Sequence, residues 1–339
     1  MLAYIILFLS LGFIGLFLGG KLVIDGLENI ANELGLSHLM VGLTILAIGT
    51  SLPEIAVSVI GGIDKLYGIE PDVDGIVIGN KVGSFIVNIT LILGILGLAQ
   101  SVSVSKWVLK REGPMLFISL FVFFLFALDL VLTRLEALIM ISMYFIYLFL
   151  IIKSEKKIEK TTVKTEEYYE KEEIDQIFLE PVEKIFPTKS VKIDILIFLI
   201  GLVILLVAGE VTILASVELA HTLNIPTAVV GLLIVSVGTS LPELSADLIA
   251  VRRKSEGIAV GGILGSNICN LLLATGLGVV IVDFNVPLSI LLFDIPMCLV
   301  AIIIVYYFLW TEKNLKKWEA FLLVSFYGFY VILRILLLY

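Results

Sequence analysis

The sequence predicts an all-α integral membrane protein. Ten transmembrane helices form two inverted five-helix repeats, with helices 2 and 7 broken inside the membrane. Three observations lead there. Hydrophobic residues make up 59% of the 339 and charged residues 16%, well outside the soluble range of about 45–50% and 25%. Apolar runs of about 20 residues, the length that crosses a bilayer, recur along the whole chain. The block Gly-Thr-Ser-Leu-Pro-Glu occurs twice without change, at 49–54 and at 238–243.

The apolar runs fall at roughly 2–33, 38–63, 75–99, 107–128, 134–153, 190–222, 227–251, 257–282, 288–310 and 315–338. The first continues past the length of a signal peptide and lacks a basic start, so it reads as a span. The first and sixth carry polar residues in their second halves (Lys21, Asp25, Glu28; Glu210, Glu218), as expected of long tilted helices that leave the hydrocarbon. Basic residues set the orientation. Lys106, Lys110 and Arg111 follow span three, Arg252, Arg253 and Lys254 follow span seven, and Lys313, Lys316 and Lys317 follow span nine. The positive-inside rule places these in the cytoplasm, with both termini and the acidic 64–74 loop outside. A multi-pass protein of the cell membrane is expected, with the lipid bilayer as its constant partner.

Residues 154–189 form the one extended polar stretch, rich in Glu and Lys, and read as a solvated cytoplasmic linker. It separates a first repeat, 1–153, from a second, 190–339. Five spans per half force the second half to enter from the opposite side, the plan of many secondary transporters. The likeness extends to a second pair of blocks. Gly79-Asn-Lys-Val-Gly-Ser-Phe-Ile-Val-Asn88 in span three parallels Gly261-Gly-Ile-Leu-Gly-Ser-Asn-Ile-Cys-Asn270 in span eight.

The repeated blocks hold the chemistry. Glu54 and Glu243 each sit within a membrane-length apolar run, where a charge costs roughly 2.5–3.5 kcal/mol and marks function by default. Pro53 and Pro242 precede them. Proline lacks an N–H and pushes its predecessor, here Leu52 or Leu241, out of helical geometry. The helix is expected to break there and bare carbonyl oxygens beside the carboxylate. Ser84 and Asn88 share a helix face, as do Ser266 and Asn270, and glycines 79, 83, 261 and 265 allow close backbone approach. The expected cage is Thr50, Ser51, Glu54, Ser84 and Asn88 from one half, and Thr239, Ser240, Glu243, Ser266 and Asn270 from the other. Oxygen donors with negative charge and no Cys or His suit a hard cation such as Na+ or Ca2+. No cofactor is implied.

These blocks resemble the two alpha-repeats of the cation/Ca2+ antiporter superfamily, and most of all its prokaryotic Na+/Ca2+ exchanger branch. The resemblance covers essentially all ten spans and none of the linker. It implies a core of helices two, three, seven and eight, with helices one and six sliding across it. It also implies alternating access, with Glu54 and Glu243 shared between Ca2+ and Na+. Thr50, Ser51, Ser84, Asn88, Thr239, Ser240 and Ser266 map onto ion ligands by motif position. One departure stands out: the exchangers usually carry Asp where this chain has Asn270. Two carboxylates balance one Ca2+ or two Na+, which puts a three-for-one exchange in doubt and keeps H+/Ca2+ exchange as the rival within the class.

Further polar residues bear on the same site. Asp247, one turn after Glu243, is expected to line the cytoplasmic vestibule, with ion ligation as the alternative. Lys81 is expected to snorkel to the outer interface; the alternative puts its ammonium in the site in place of a bound cation. Glu210 and Lys21 occupy equivalent repeat positions and are expected to pair or to line the ion passage. His38 and His221 lie near span ends and suggest no zinc site. Cys269 and Cys298 read as small core residues. The net charge of −8 offers nothing to nucleic acid. An intramembrane enzyme using Ser51 or Ser240 as nucleophile lacks a base within either motif, and broken inverted repeats favour a carrier over a channel.

Overall fold

The computed structural model describes residues 2–33, 47–100, 102–104, 106–161, 191–252, 256–312 and 314–337. Residues 41–46 of the first repeated block, His38, Arg253, Lys254, Lys313 and the linker beyond Thr161 lie outside the described residues.

The helices follow the apolar runs. Helix α1 is Leu2–Glu33. Helices α2, Ala47–Thr50, and α3, Leu52–Tyr67, meet at Ser51. Helix α4 is Val73–Ile86, carried on through a π-turn at Val87–Ile92 into Leu93–Ala99. Helix α5 is Lys106–Phe126 and α6 is Arg134–Thr161. Helix α7, Val191–Leu223, opens the second half. Helix α8 joins Thr227–Val230, a π-turn at Gly231–Val235 and Ser236–Thr239, and meets α9, Leu241–Arg252, at Ser240. Helix α10 joins Glu256–Cys269, a π-turn at Asn270–Ala274 and Thr275–Val279. Helix α11 joins a π-turn at Ile290–Asp294 to Ile295–Glu312, and α12 is Lys317–Leu336.

Among the described residues, eight helical stretches are long and apolar enough to cross a membrane. The two expected spans outside that number have local reasons. The start of the second lies outside the described residues, and α5 opens with Lys106, Lys110, Arg111 and Glu112.

The breaks fall one residue before the position that the prolines predict. Leu52 and Leu241 already belong to α3 and α9, while Ser51 and Ser240 carry the non-helical backbone, each with φ −86° and ψ 5°. Proline is tolerated in the first turn of a helix, where its missing N–H has no intrahelical role. The interruption therefore moves upstream. Pro53 and Pro242 still have no N–H to give the carbonyls of Gly49 and Gly238 four residues back.

Helix packing relies on small residues. A Cβ placed on Gly79 would lie 2.5 Å from the Ala228 carbonyl oxygen, and one on Gly83 2.4 Å from that of Leu232. On the facing side, a Cβ on Gly231 would meet the Ile76 carbonyl at 2.6 Å. Backbone thus meets backbone where α4 crosses α8. The corresponding partner of Gly261 and Gly265 falls outside the described residues. Helices α1 and α7 run antiparallel along a seam of Gly12, Gly15, Gly19, Gly26 and Gly201.

Two short antiparallel ribbons tie the halves together. Strand β1, Val102–Ser103, pairs with β4, Asn314–Leu315, and β2, Val131–Leu132, pairs with β3, Phe284–Asn285. An offset of 182 carries β1 onto β3 and one of 183 carries β2 onto β4, so each ribbon's register becomes the other's. Two buried acid–tyrosine hydrogen bonds obey the same offsets. Tyr147 donates to Glu112, and Tyr330 donates to Asp294 at 2.8 Å. Arg334 joins the second with its Nε 3.3 Å from Asp294. Sequence reasoning passed over both pairs.

Candidate cation site

The two serine breaks face each other across the core. Glu54 stands in the first turn of α3 and Glu243 in the first turn of α9, where a helix end favours negative charge. Helices α2 and α8 end beside the breaks, at Thr50 and Thr239. Half-helices arranged in this way serve both signs of charge. The site is dry, with Glu54 0% and Glu243 2% exposed.

A hydrogen-bond net joins the elements. Ser266 on α10 donates to Glu243 Oε1 at 3.0 Å, and its hydroxyl lies 2.8 Å from that of Ser51. Ser84 on α4 donates to Glu54 Oε1 at 3.4 Å, and its hydroxyl lies 3.4 Å from Thr239 Oγ1. Ser240 reaches Glu54 Oε1 at 3.5 Å. Asn88 donates to Asn267 Oδ1 at 3.1 Å. Ser51, Glu54, Ser84, Asn88, Thr239, Ser240, Glu243, Ser266 and Asn270 are all buried. Thr50 is only half-buried at the end of α2, and the net runs through its neighbour Ser51.

Within this net, four oxygens have no hydrogen-bond partner among the described residues: Glu54 Oε2, Glu243 Oε2, Asn88 Oδ1 and Asn270 Oδ1, the Asn270 amide nitrogen being unpaired as well. They are two repeat-related pairs. Asn88 and Asn270 also fall in the π-turns of α4 and α10, a helix form concentrated at functional sites. Thr275 and Thr90 cap carbonyls at these turns, Thr275 donating to Asn270 O at 2.9 Å and Thr90 to Ile86 O at 2.5 Å. A buried, unpaired acceptor costs about 1–3 kcal/mol. Such oxygens suit the coordination of a hard cation. Among the described residues no cluster of three or more His, Cys, Asp or Glu side chains is placed to hold a metal, so any ion here depends on the amides and hydroxyls as well as on the two carboxylates.

Lys81 does not take the route to the interface that snorkelling predicts. Its side chain is fully buried, and the ammonium donates to the Glu54 carbonyl oxygen at 2.5 Å and to Asn80 Oδ1 at 2.9 Å. Asn80 in turn donates to Thr239 Oγ1 at 2.9 Å. These polar acceptors hold the amine inside, so burial no longer needs the membrane surface. Asn80 and Asn267 are the site residues that sequence reasoning missed. Helical spacing offered a signal, since Asn80, Ser84 and Asn88 recur every four residues.

Asp247 is 8% exposed, and its Oδ1 lies 3.2 Å from where a Cβ on Gly262 would stand. Glu210 faces the Asp64 carboxyl on α3. His221 lies 3.3 Å from Asp72, with both side chains exposed. Cys269 and Cys298 are buried free thiols.

Two buried carboxylates, with hydroxyls and amides around them, thus lie between the interrupted helices of a membrane protein. The sodium/calcium exchanger protein family model matches residues 4–153 and 193–336, and the chain belongs to that family. It is a secondary antiporter, not an enzyme. Sodium/calcium exchanger MaX1 of Methanosarcina acetivorans is 31% identical over 353 residues, covering 96% of this chain and 97% of its own. Inner membrane protein YrbG of Escherichia coli is 29% identical over 243 residues, covering 72% of this chain and 69% of its own. The sodium-calcium exchanger NCX_Mj, in a structure soaked with Na+ and Sr2+, superposes with a TM-score of 0.61 at 25% identity, covering 98% of this chain and 99% of its own.

Proposed function

We propose that this chain exchanges Ca2+ for Na+ across the cell membrane by alternating access. The four repeat-related orphan oxygens on Glu54, Glu243, Asn88 and Asn270 carry this reading. Ser51, Ser84, Thr239, Ser240 and Ser266 complete the cation-binding set, and Thr50 joins it through its place beside Ser51. Asp247, which keeps some solvent contact, lines the vestibule. The naming of MaX1 and NCX_Mj as sodium/calcium exchangers supports the choice of ions.

The architecture that goes with this function is ten membrane helices in two inverted repeats, 1–153 and 190–339, joined by a cytoplasmic linker at 154–189. Both termini lie outside. The interchange of ribbon registers and of acid–tyrosine pairs between the halves supports the two-fold relation.

Proton-coupled Ca2+ exchange is the second reading, favoured by the amide at Asn270 where the exchangers usually carry Asp. Reconstituted vesicles separate the two. An outward-directed Na+ gradient is expected to drive 45Ca2+ uptake at fixed pH, and uptake that ignores Na+ but follows a pH step would reject the sodium assignment. Glu54→Gln and Glu243→Gln are each expected to abolish uptake; transport retained by either variant removes that residue from the site.

A further inference from the structure

We infer that Lys81 is a tethered cation that permanently holds one monovalent position in the ion site, limiting the exchange to two Na+ per Ca2+ and making it electroneutral. The inference rests on the exchanger reading above and specifies its coupling.

The geometry is that of a ligated cation. The ammonium is fully buried and donates to a backbone carbonyl, Glu54 O at 2.5 Å, and to an amide oxygen, Asn80 Oδ1 at 2.9 Å. Carbonyl and amide oxygens are the donors that hard cations take. The ionisable groups that act on the ammonium are Glu54 on α3, Cys269 on α10 and Glu243 on α9, and the two carboxylates are the pair assigned to the transported ions. Lys81 therefore shares the field of the ion site as well as its oxygens.

The arrangement is one-sided. The repeat offset of 182 places Ile263 opposite Lys81 and Gly262 opposite Asn80. Glu54 pairs with Glu243, Ser84 with Ser266 and Asn88 with Asn270, whereas Lys81 has no charged counterpart, so the ammonium is an addition to the two-fold plan. Charge then limits the cargo. Glu54, Glu243 and the ammonium sum to −1, and one Ca2+ or two Na+ each bring that sum to +1. A third Na+ would add its charge to that of an ammonium already present, in a site closed to water where such charges are screened little. The Ca2+-loaded and Na+-loaded forms thus carry the same charge, and the cycle moves none.

Purified full-length protein in vesicles, with potential set by K+ and valinomycin, tests this. Wild-type 45Ca2+ accumulation driven by Na+ is expected to ignore voltage and to scale with the square of the Na+ ratio. Lys81→Gln is expected to become voltage-sensitive, with the exponent rising toward three, while Lys81→Arg keeps the wild-type values. A third-power, voltage-driven wild type overturns the inference by itself, even where Lys81→Gln cannot be purified. Lys81→Gln with unchanged coupling overturns it too. Wild-type protein with no Na+-driven uptake strikes the exchanger reading instead, and the inference falls with it.

Discussion

Gly79→Ala tests whether backbone contact between α4 and α8 sets the width of the candidate cation site. The added Cβ would stand 2.5 Å from Ala228 O and 3.0 Å from Leu232 N. Carbon against oxygen settles at about 3.4 Å or more, so the helices must part by roughly 0.9 Å. Both contacts are backbone and cannot rotate away. Overpacking of this kind costs about 1–3 kcal/mol, and removing a helical glycine returns at most about 1 kcal/mol. The displacement falls between Ser84 and Thr239, already 3.4 Å apart, and across the 2.9 Å bond from Asn80 to Thr239. A net loss near 1.4 kcal/mol in the ion-bound state corresponds to a tenfold weaker Ca2+ affinity. Gly328→Ala on the exposed side of α12 is the control, because its Cβ would meet nothing within 4 Å. The assays are Na+-driven 45Ca2+ uptake against Ca2+ concentration and thermal unfolding in detergent. Gly79→Ala with wild-type affinity and melting, or Gly328→Ala equally impaired, would refute the reasoning.

Ser266→Ala removes bonds of 2.8 and 3.0 Å, one of them to a buried carboxylate; a loss of roughly 1.5–3 kcal/mol in Ca2+ binding is expected. Ser84→Ala, which loses only 3.4 Å contacts, is expected to weaken Ca2+ binding less, and the reverse order in a titration would count against the net described. Tyr330→Phe leaves Asp294 with Arg334 alone, so thermal stability should fall by about 1 kcal/mol while uptake survives. The pair Ala56→Cys with Gly209→Cys would place Cβ atoms 3.6 Å apart, within disulfide range. Oxidation is expected to stop transport and reduction to restore it, and continued transport in the cross-linked protein would show that α7 need not move against α3.

Much of this was legible in the chain because a bilayer imposes a simple grammar. Span length follows from hydrocarbon thickness, and a carboxylate inside a span stands out whatever its tertiary partners. Glu54, Glu243 and the paired Ser–Asn positions could therefore be singled out as candidates from one sequence, and the structure buries all of them. What escaped depends on where a side chain goes after packing. Lys81 had two destinations, and the choice turned on the Glu54 carbonyl and on Asn80. The first is 27 residues away in the chain, and Asn80 itself is anchored by Thr239, 159 residues away. The break position shifted from Leu to Ser because proline fits a first helical turn as readily as it ends a preceding one. Glu112 and Asp294 were passed over although Glu112-Gly-Pro-Met115 echoes Asp294-Ile-Pro-Met297 at the same offset of 182. Their tyrosine partners lie 35 and 36 residues on, beyond any helical period.

The distribution of polar ties also sets two parts of the fold apart. Both ribbons and both acid–tyrosine bonds lie in α5, α6, α11, α12 and their flanking loops. Helices α1 and α7 take part in none of these and are fastened to each other along glycine. Against α3 there is more room: a Cβ on Gly209 would stand 3.4 Å from Ile60, and one on Gly20 4.0 Å from Pro53. Against the interrupted helices α1 is keyed by side chains, Phe13 at Gly238 and Ile24 at Gly49, where an added Cβ would stand 2.3 and 2.5 Å from them. The polar contacts of α7 with the core region, Glu210 to Asp64 and His221 to Asp72, gather toward the C-terminal part of α7. On the proposed alternating-access reading, α1 and α7 are the elements expected to move, which requires Phe13 and Ile24 to leave their notches, while the ribbons are expected to keep the carboxylate-bearing core in register.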